Sequence, residues 1–125
     1  MEVNDERDRR IRSHLDFNGV VYDFDERSKA NITGAATLAG FAIGAGLGTD
    51  PYWHVKNSPM EPDPVNIPPF VWSARDNSNV PMDANTVFMF GKAAANRESA
   101  HIFAAKAIKL MSPIPLDYTD DKYWP

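Results

Sequence analysis

The sequence predicts an α+β fold: a small β-hairpin and strand platform, a long C-terminal α-helix, an extended Pro-rich arm and a tail. Three observations carry this. Val20, Tyr22 and Phe24 alternate with Val21 and Asp23 after an Asn18-Gly19 turn signal, the period of a half-buried strand. An Ala-rich run from Ala84 to Met111 follows Asp83, a residue type that caps helix N-termini. Between them, Pro51, Pro59, Pro62, Pro64, Pro68 and Pro69 crowd a stretch without helical period.

The bulk properties bound the function. A chain of 125 residues has the size of one domain. Its net charge of −4 argues against a nucleic-acid partner, which calls for a basic face. Absence of cysteine excludes disulfides, thiol catalysis and thiolate metal sites. A charged N-terminal stretch predicts no signal peptide. The uncharged run Asn31 to Thr49 is too rich in Gly, Ala and Thr for a membrane span, so no membrane partner is expected.

Four segments follow along the chain. Residues 1–48 hold an N-terminal helix, a strand and a Gly/Ala-rich helix. In the first helix acidic residues precede arginines, the favourable order for its dipole, but Val3, Ile11 and Leu15 give only a thin apolar stripe that needs a partner surface. Asp25 reads as the N-cap of a helix from about Glu26, loosened or ended between Gly40 and Gly48. Residues 49–69 are the expected extended arm, dotted with Tyr52, Trp53, Val65 and Ile67.

Residues 70–112 hold a strand around Trp72, a turn from Asp76-Asn77 to Asn79 and the long helix, roughly 40 Å at 1.5 Å per residue. Two neighbouring apolar rows run along it. One is Met89, Ala93, Ala100, Phe103, Ala107 and Leu110; the other is Phe90, Ala94, Ala104, Ile108 and Met111. Their many small residues suit close packing in a bundle or around an oligomer axis. Residues 113–125 form a Pro/aromatic tail with Tyr118, Tyr123 and Trp124.

Candidate chemistry is sparse. Asp23, Asp25 and Glu26 have the oxygen ligands calcium or magnesium wants, but no Gly-containing calcium loop follows, and a strand edge plus a cap explains them. His14, His54 and His101 lack metal-ligand spacing; His101 reads as a packing histidine. The glycines at 40–48 do not match a phosphate loop. No nucleophile–base pattern emerges, so no catalytic residue, metal site or cofactor is expected. Tyr52, Trp53, Ile67, Tyr118, Tyr123 and Trp124 are the expected protein-interface residues, since a Pro-rich arm and a tail are poor platforms for sugars.

Arg9-Arg10 before Phe17-Asn18-Gly19-Val20, then Asp23, Asp25 and Ile32-Thr33-Gly34-Ala35, resembles a bacteriophage family of unknown function. So do Trp72, Asp76-Asn77, Val80-Pro81-Met82-Asp83-Ala84 and the helix with His101 and Ala104-Ala105. That family occurs in tail-fibre and tail-associated proteins. The likeness covers about residues 7–40 and 70–111, and the segment 41–69 and the aromatic tail depart from it. Asn18, Gly19, Asp23, Asp25, Trp72, Asp76, Asn77 and Asp83 are its marker residues and look structural, with Trp72 expected in the core. The resemblance implies a structural virion protein of the phage tail, fibre- or baseplate-associated. Its partners would be other tail or fibre proteins and copies of itself, in the virion tail and, during assembly, the host cytoplasm. The alternative is a tail-fibre assembly chaperone absent from the mature particle.

Overall fold

Asn18 and Gly19 both take positive φ, 51° and 78°, as a two-residue hairpin turn of the primed type requires. They join β1 (Leu15–Phe17) to β2 (Val20–Tyr22), antiparallel, with Leu15 opposite Tyr22. In this computed structural model, residues 2–125 are described. The element order is α1 (Glu2–Ile11), β1, β2, α2 (Glu26–Gly44), β3 (Val71–Ser73), β4 (Asn79–Pro81), α3 (Ala84–Lys109) and a short 3-10 turn at Asp121–Tyr123. Three helices with two small two-stranded sheets make the α+β fold the sequence predicts.

Both expected caps form. Asp25 accepts from the Ser28 amide at 2.8 Å and Asp83 from the Thr86 amide at 2.7 Å. Helix α2 runs through Gly40 and ends where Gly46 takes φ 86° and the Leu47 amide reaches back to the Ala42 carbonyl at 2.9 Å, a Schellman closure. The turn after β3 is the expected Asx type: Asp76 accepts from the Ser78 amide at 2.9 Å, and Asn77 takes φ 68°.

Helix α3, 26 residues and about 39 Å long, is the spine. Helices α2 and α1 both pack on it. At Gly91 a side chain would stand closer than 3.0 Å to the Ala36 Cβ, so α2 and α3 approach closely there. The main core gathers Tyr22, Phe24, Ile32, Leu47, Val87 and Phe90. A smaller cluster holds Val3, Ala105, Ile108 and Trp124.

Three expectations are corrected. Of the two apolar rows on α3, Phe90, Ala94 and Ile108 lie in the core, whereas Met89, Phe103 and Leu110 face solvent. The buried stripe instead takes in Val87, His101 and Ala105. Trp72 is half-buried at the core margin, edge-on to Phe90 at 5.4 Å, rather than inside it. The segment 49–69, expected as an extended arm, begins instead as a run of turns folded against the domain. Asp50 accepts from the Tyr52 amide at 2.8 Å, the Val55 and Lys56 amides both donate to the Tyr52 carbonyl at 3.1 Å, and the Phe70 amide donates to the Pro51 carbonyl at 3.0 Å.

Candidate functional site

The residues singled out as interface candidates fall into two groups. Trp53 and Trp124 are buried within their own chain, which corrects their reading as surface anchors. Trp53 donates its indole N–H to the Met82 carbonyl at 3.1 Å and packs on Phe70 at 4.7 Å. Lys56 beside it is buried between Asp50 at 2.7 Å and Asp63 at 3.1 Å. The hydrogen bond to Asp50 holds the ammonium above its ordinary pKa, outweighing desolvation. A fully buried indole satisfied by a backbone carbonyl is a core group, whatever prolines flank it.

Trp124 closes the tail over the second cluster. Arg10 stands over the indole ring at 5.4 Å, and the His101 ring stacks on it at 6.3 Å with planes 24° apart. The indole N–H donates to the Tyr118 carbonyl at 2.8 Å. Arg10 also donates to the Thr119 carbonyl and to Asp121, both at 2.7 Å. His101 donates from Nδ1 to the Arg97 carbonyl at 2.8 Å. Burial pushes its pKa below the usual value, and the hydrogen bond only partly opposes this, so the ring is neutral near pH 7. It is the packing histidine the sequence suggests. Tyr52, Tyr118 and Tyr123 are half-buried, and Tyr123 donates to Asp117 at 2.9 Å.

The exposed group is different. Ile67 stays on the surface, joined by Met60 and Val65 of the same segment and Leu116 of the tail. On the helices, Leu38 and Phe41 of α2 and Phe103 and Leu110 of α3 also face out. Sequence reading missed Leu38 and Phe41, although their lack of charged neighbours was visible.

A groove of about 560 Å³ lies between α2 and α3, lined by Phe24, Thr33, Thr37, Phe88, Lys92 and Glu98 among others. Its polar end is an ion network. Glu98 pairs with Lys29 at 2.9 Å and with Arg12, which also pairs with Glu26 at 2.6 Å and covers the Phe24 ring at 5.3 Å. Burial raises the Glu98 pKa, but the bonds from Lys29 and Arg12 outweigh it and leave the carboxyl below its ordinary value. Each member has an ionic partner, although Arg12 Nη1 is buried without a hydrogen bond, and the network ties the end of α1 to α2 and α3.

The marker residues are all engaged in structure. Asn18 and Gly19 make a turn, Asp25 and Asp83 cap helices, and Asp76 and Asn77 shape the second hairpin. Asp23 pairs with Arg75 at 2.8 Å, so it and Asp25 do not converge on one point. Among the described residues no group of three or more His, Asp or Glu side chains is placed to hold a metal ion. Among them, too, no helix is long and apolar enough to cross a membrane.

Comparison with known proteins adds one match. A family model described as a domain of unknown function (DUF4376) matches residues 1–121. Neither the curated proteins nor the solved structures contain a significant match. The matched range runs through 41–69 and most of the tail, wider than the two blocks of motif resemblance. With nearly its whole length covered, the chain belongs to the DUF4376 family.

Proposed function

We propose that this chain is a structural protein of a bacteriophage tail, fibre- or baseplate-associated, acting through protein–protein contacts rather than catalysis. One observation carries the reading. The marker residues are spent on turns, caps and pairing, while large apolar side chains outside them remain uncovered: Met60 at 91%, Val65 at 92% and Leu116 at 100% exposure. Apolar surface left open on a proline-rich segment and a tail suits a chain that docks along neighbours. Ile67, Met60, Val65 and Leu116 take the contact role first assigned to Trp53 and Trp124. The order of motifs resembling tail-associated proteins supplies the phage assignment. Its partners are then tail or fibre proteins, with neither nucleic acid nor membrane engaged, in the virion tail after assembly in the host cytoplasm.

Mass spectrometry of purified particles tests this. The chain is expected at a fixed copy number per virion. Absence from particles, with a soluble complex to a fibre protein in infected cells, would replace the reading by an assembly chaperone. Turnover of host cell wall that is abolished by Asp23→Asn or Asp25→Asn would replace it by an enzyme.

A further inference from the structure

Helix α2 carries a second, exposed seam, which at Leu38, Phe41 and Ala45 borders a groove shared with Trp53, His54 and Phe70. Arg27, Asn31, Gly34, Leu38, Phe41 and Ala45 follow one another at spacings of four and three, the a/d rhythm of a coiled-coil stripe, and all six are exposed. Leu38 is 64% and Phe41 75% exposed. No charged residue occurs from Ala30 to Thr49, where a solvent face ordinarily alternates Lys and Glu. A side chain built at Gly34 would meet nothing within 4 Å, so the surface beside the two large residues is open there.

The seam is complementary to itself in one orientation. Its two large apolar residues, Leu38 and Phe41, sit in the C-terminal half, and Asn31 and Gly34 lie in the N-terminal half. An antiparallel copy related by a two-fold near Ala36 sets Leu38 over Gly34, Phe41 over Asn31, and Arg27 over Ala45. The last pairing also answers a charge. The final turn of α2 has no basic residue, and Arg27 from the copy would meet its negative dipole end. A parallel pair would instead stack Phe41 on Phe41 and Arg27 on Arg27.

We propose that this face of α2 binds a second copy of this chain, α2 against α2, antiparallel. Covering a seam about 27 Å long with two large apolar side chains buries roughly 500 Å² per copy, about 1,000 Å² in total. That is the lower bound for a specific interface, so the association is expected to be weak and reversible. The inference does not rest on the phage assignment, since the purified chain is read without any particle.

Sedimentation equilibrium from about 1 to about 200 μM is expected to show a monomer–dimer equilibrium by mass action. Leu38→Glu with Phe41→Glu should weaken it more than about 10-fold while the circular dichroism spectrum is kept, because both side chains are exposed. Phe103→Glu, on the outer face of α3, should leave it unchanged. The chain has no cysteine, so orientation can be read by thiol pairing. A Gly34→Cys protein mixed with a Leu38→Cys protein should form a disulfide dimer, and Gly34→Cys alone should not. A monomer throughout the range, or association indifferent to the Leu38/Phe41 change, would overturn the proposal. Efficient self-crosslinking of Gly34→Cys would overturn the antiparallel arrangement.

Discussion

Gly91→Ala probes the close approach of α2 and α3. Placing one methyl at Gly91 sets it under 3.0 Å from the Ala36 Cβ, whereas carbon atoms rest at about 3.5–4.0 Å. The helices must separate locally by up to about 1 Å or more, and overpacking of this kind costs about 1–3 kcal/mol. Alanine in a helix interior returns about 1 kcal/mol relative to glycine. The net expectation is a loss of about 0–2 kcal/mol. Ala36→Gly alone should also cost about 1 kcal/mol, from propensity. The double variant exchanges the two residues, removes the overlap and balances the propensities. It should return to within about 0.5 kcal/mol of the parent, a coupling of about 1–3 kcal/mol. Urea unfolding followed at 222 nm measures all four proteins. Gly91→Ala that gains about 1 kcal/mol, or a double variant whose effects simply add, would show that α2 and α3 do not meet at this point.

Other outcomes follow from the same packing. Trp53→Ala should cost about 3–5 kcal/mol, and Trp72→Ala less, because Trp72 is only half-buried; equal costs would contradict their different depths. His101 and His54 are both held below the ordinary histidine pKa by desolvation, so each favours folding while neutral. Their contribution is full above the unfolded value of about 6.5 and is lost as pH falls below it. Stability should therefore decline from pH 7 to pH 5, and His101→Gln should flatten part of that slope in urea titrations at each pH. Trp124→Ala should loosen the tail, read as faster proteolysis between Ser112 and Pro125 with the main core still folded. Asp83→Ala should remove about 1 kcal/mol by uncapping α3.

What was legible in the sequence was local. The Asn18-Gly19 turn, the Asp25 and Asp83 caps and the Asp76 turn each depend on atoms within a few residues, so residue type and spacing suffice. What was not legible depended on distant partners. Trp53 finds its acceptor at Met82, and Trp124 lies between Arg10 and His101, so nothing in the proline-rich context marked either as interior. On α3 two adjacent rows of Ala and large apolar residues satisfy the helical period equally. The choice between them is made by Gly91, which admits α2 on one side. The outward seam of α2 was readable in its spacing, and of the glycines expected to loosen or end the helix, Gly40 and Gly44 lie inside it while Gly46 closes it.

The two clusters hang on different halves of one helix. The first half of α3 supports α2 and both hairpins, while Ala105 and Ile108 near its end support Val3 of α1 and Ile114, Tyr118, Tyr123 and Trp124 of the tail. Arg97, between them, fastens α1 by donating to the Arg10 and Ile11 carbonyls, and Lys109 reaches Asn4 at 2.8 Å. Such an arrangement has two cooperative units of unequal size. The terminal unit, with few large buried side chains, can open while the larger one stays closed. Amide hydrogens of α1 and the last turns of α3 should then exchange together, and faster than those of α2, so the chain's two ends act as a single releasable clasp.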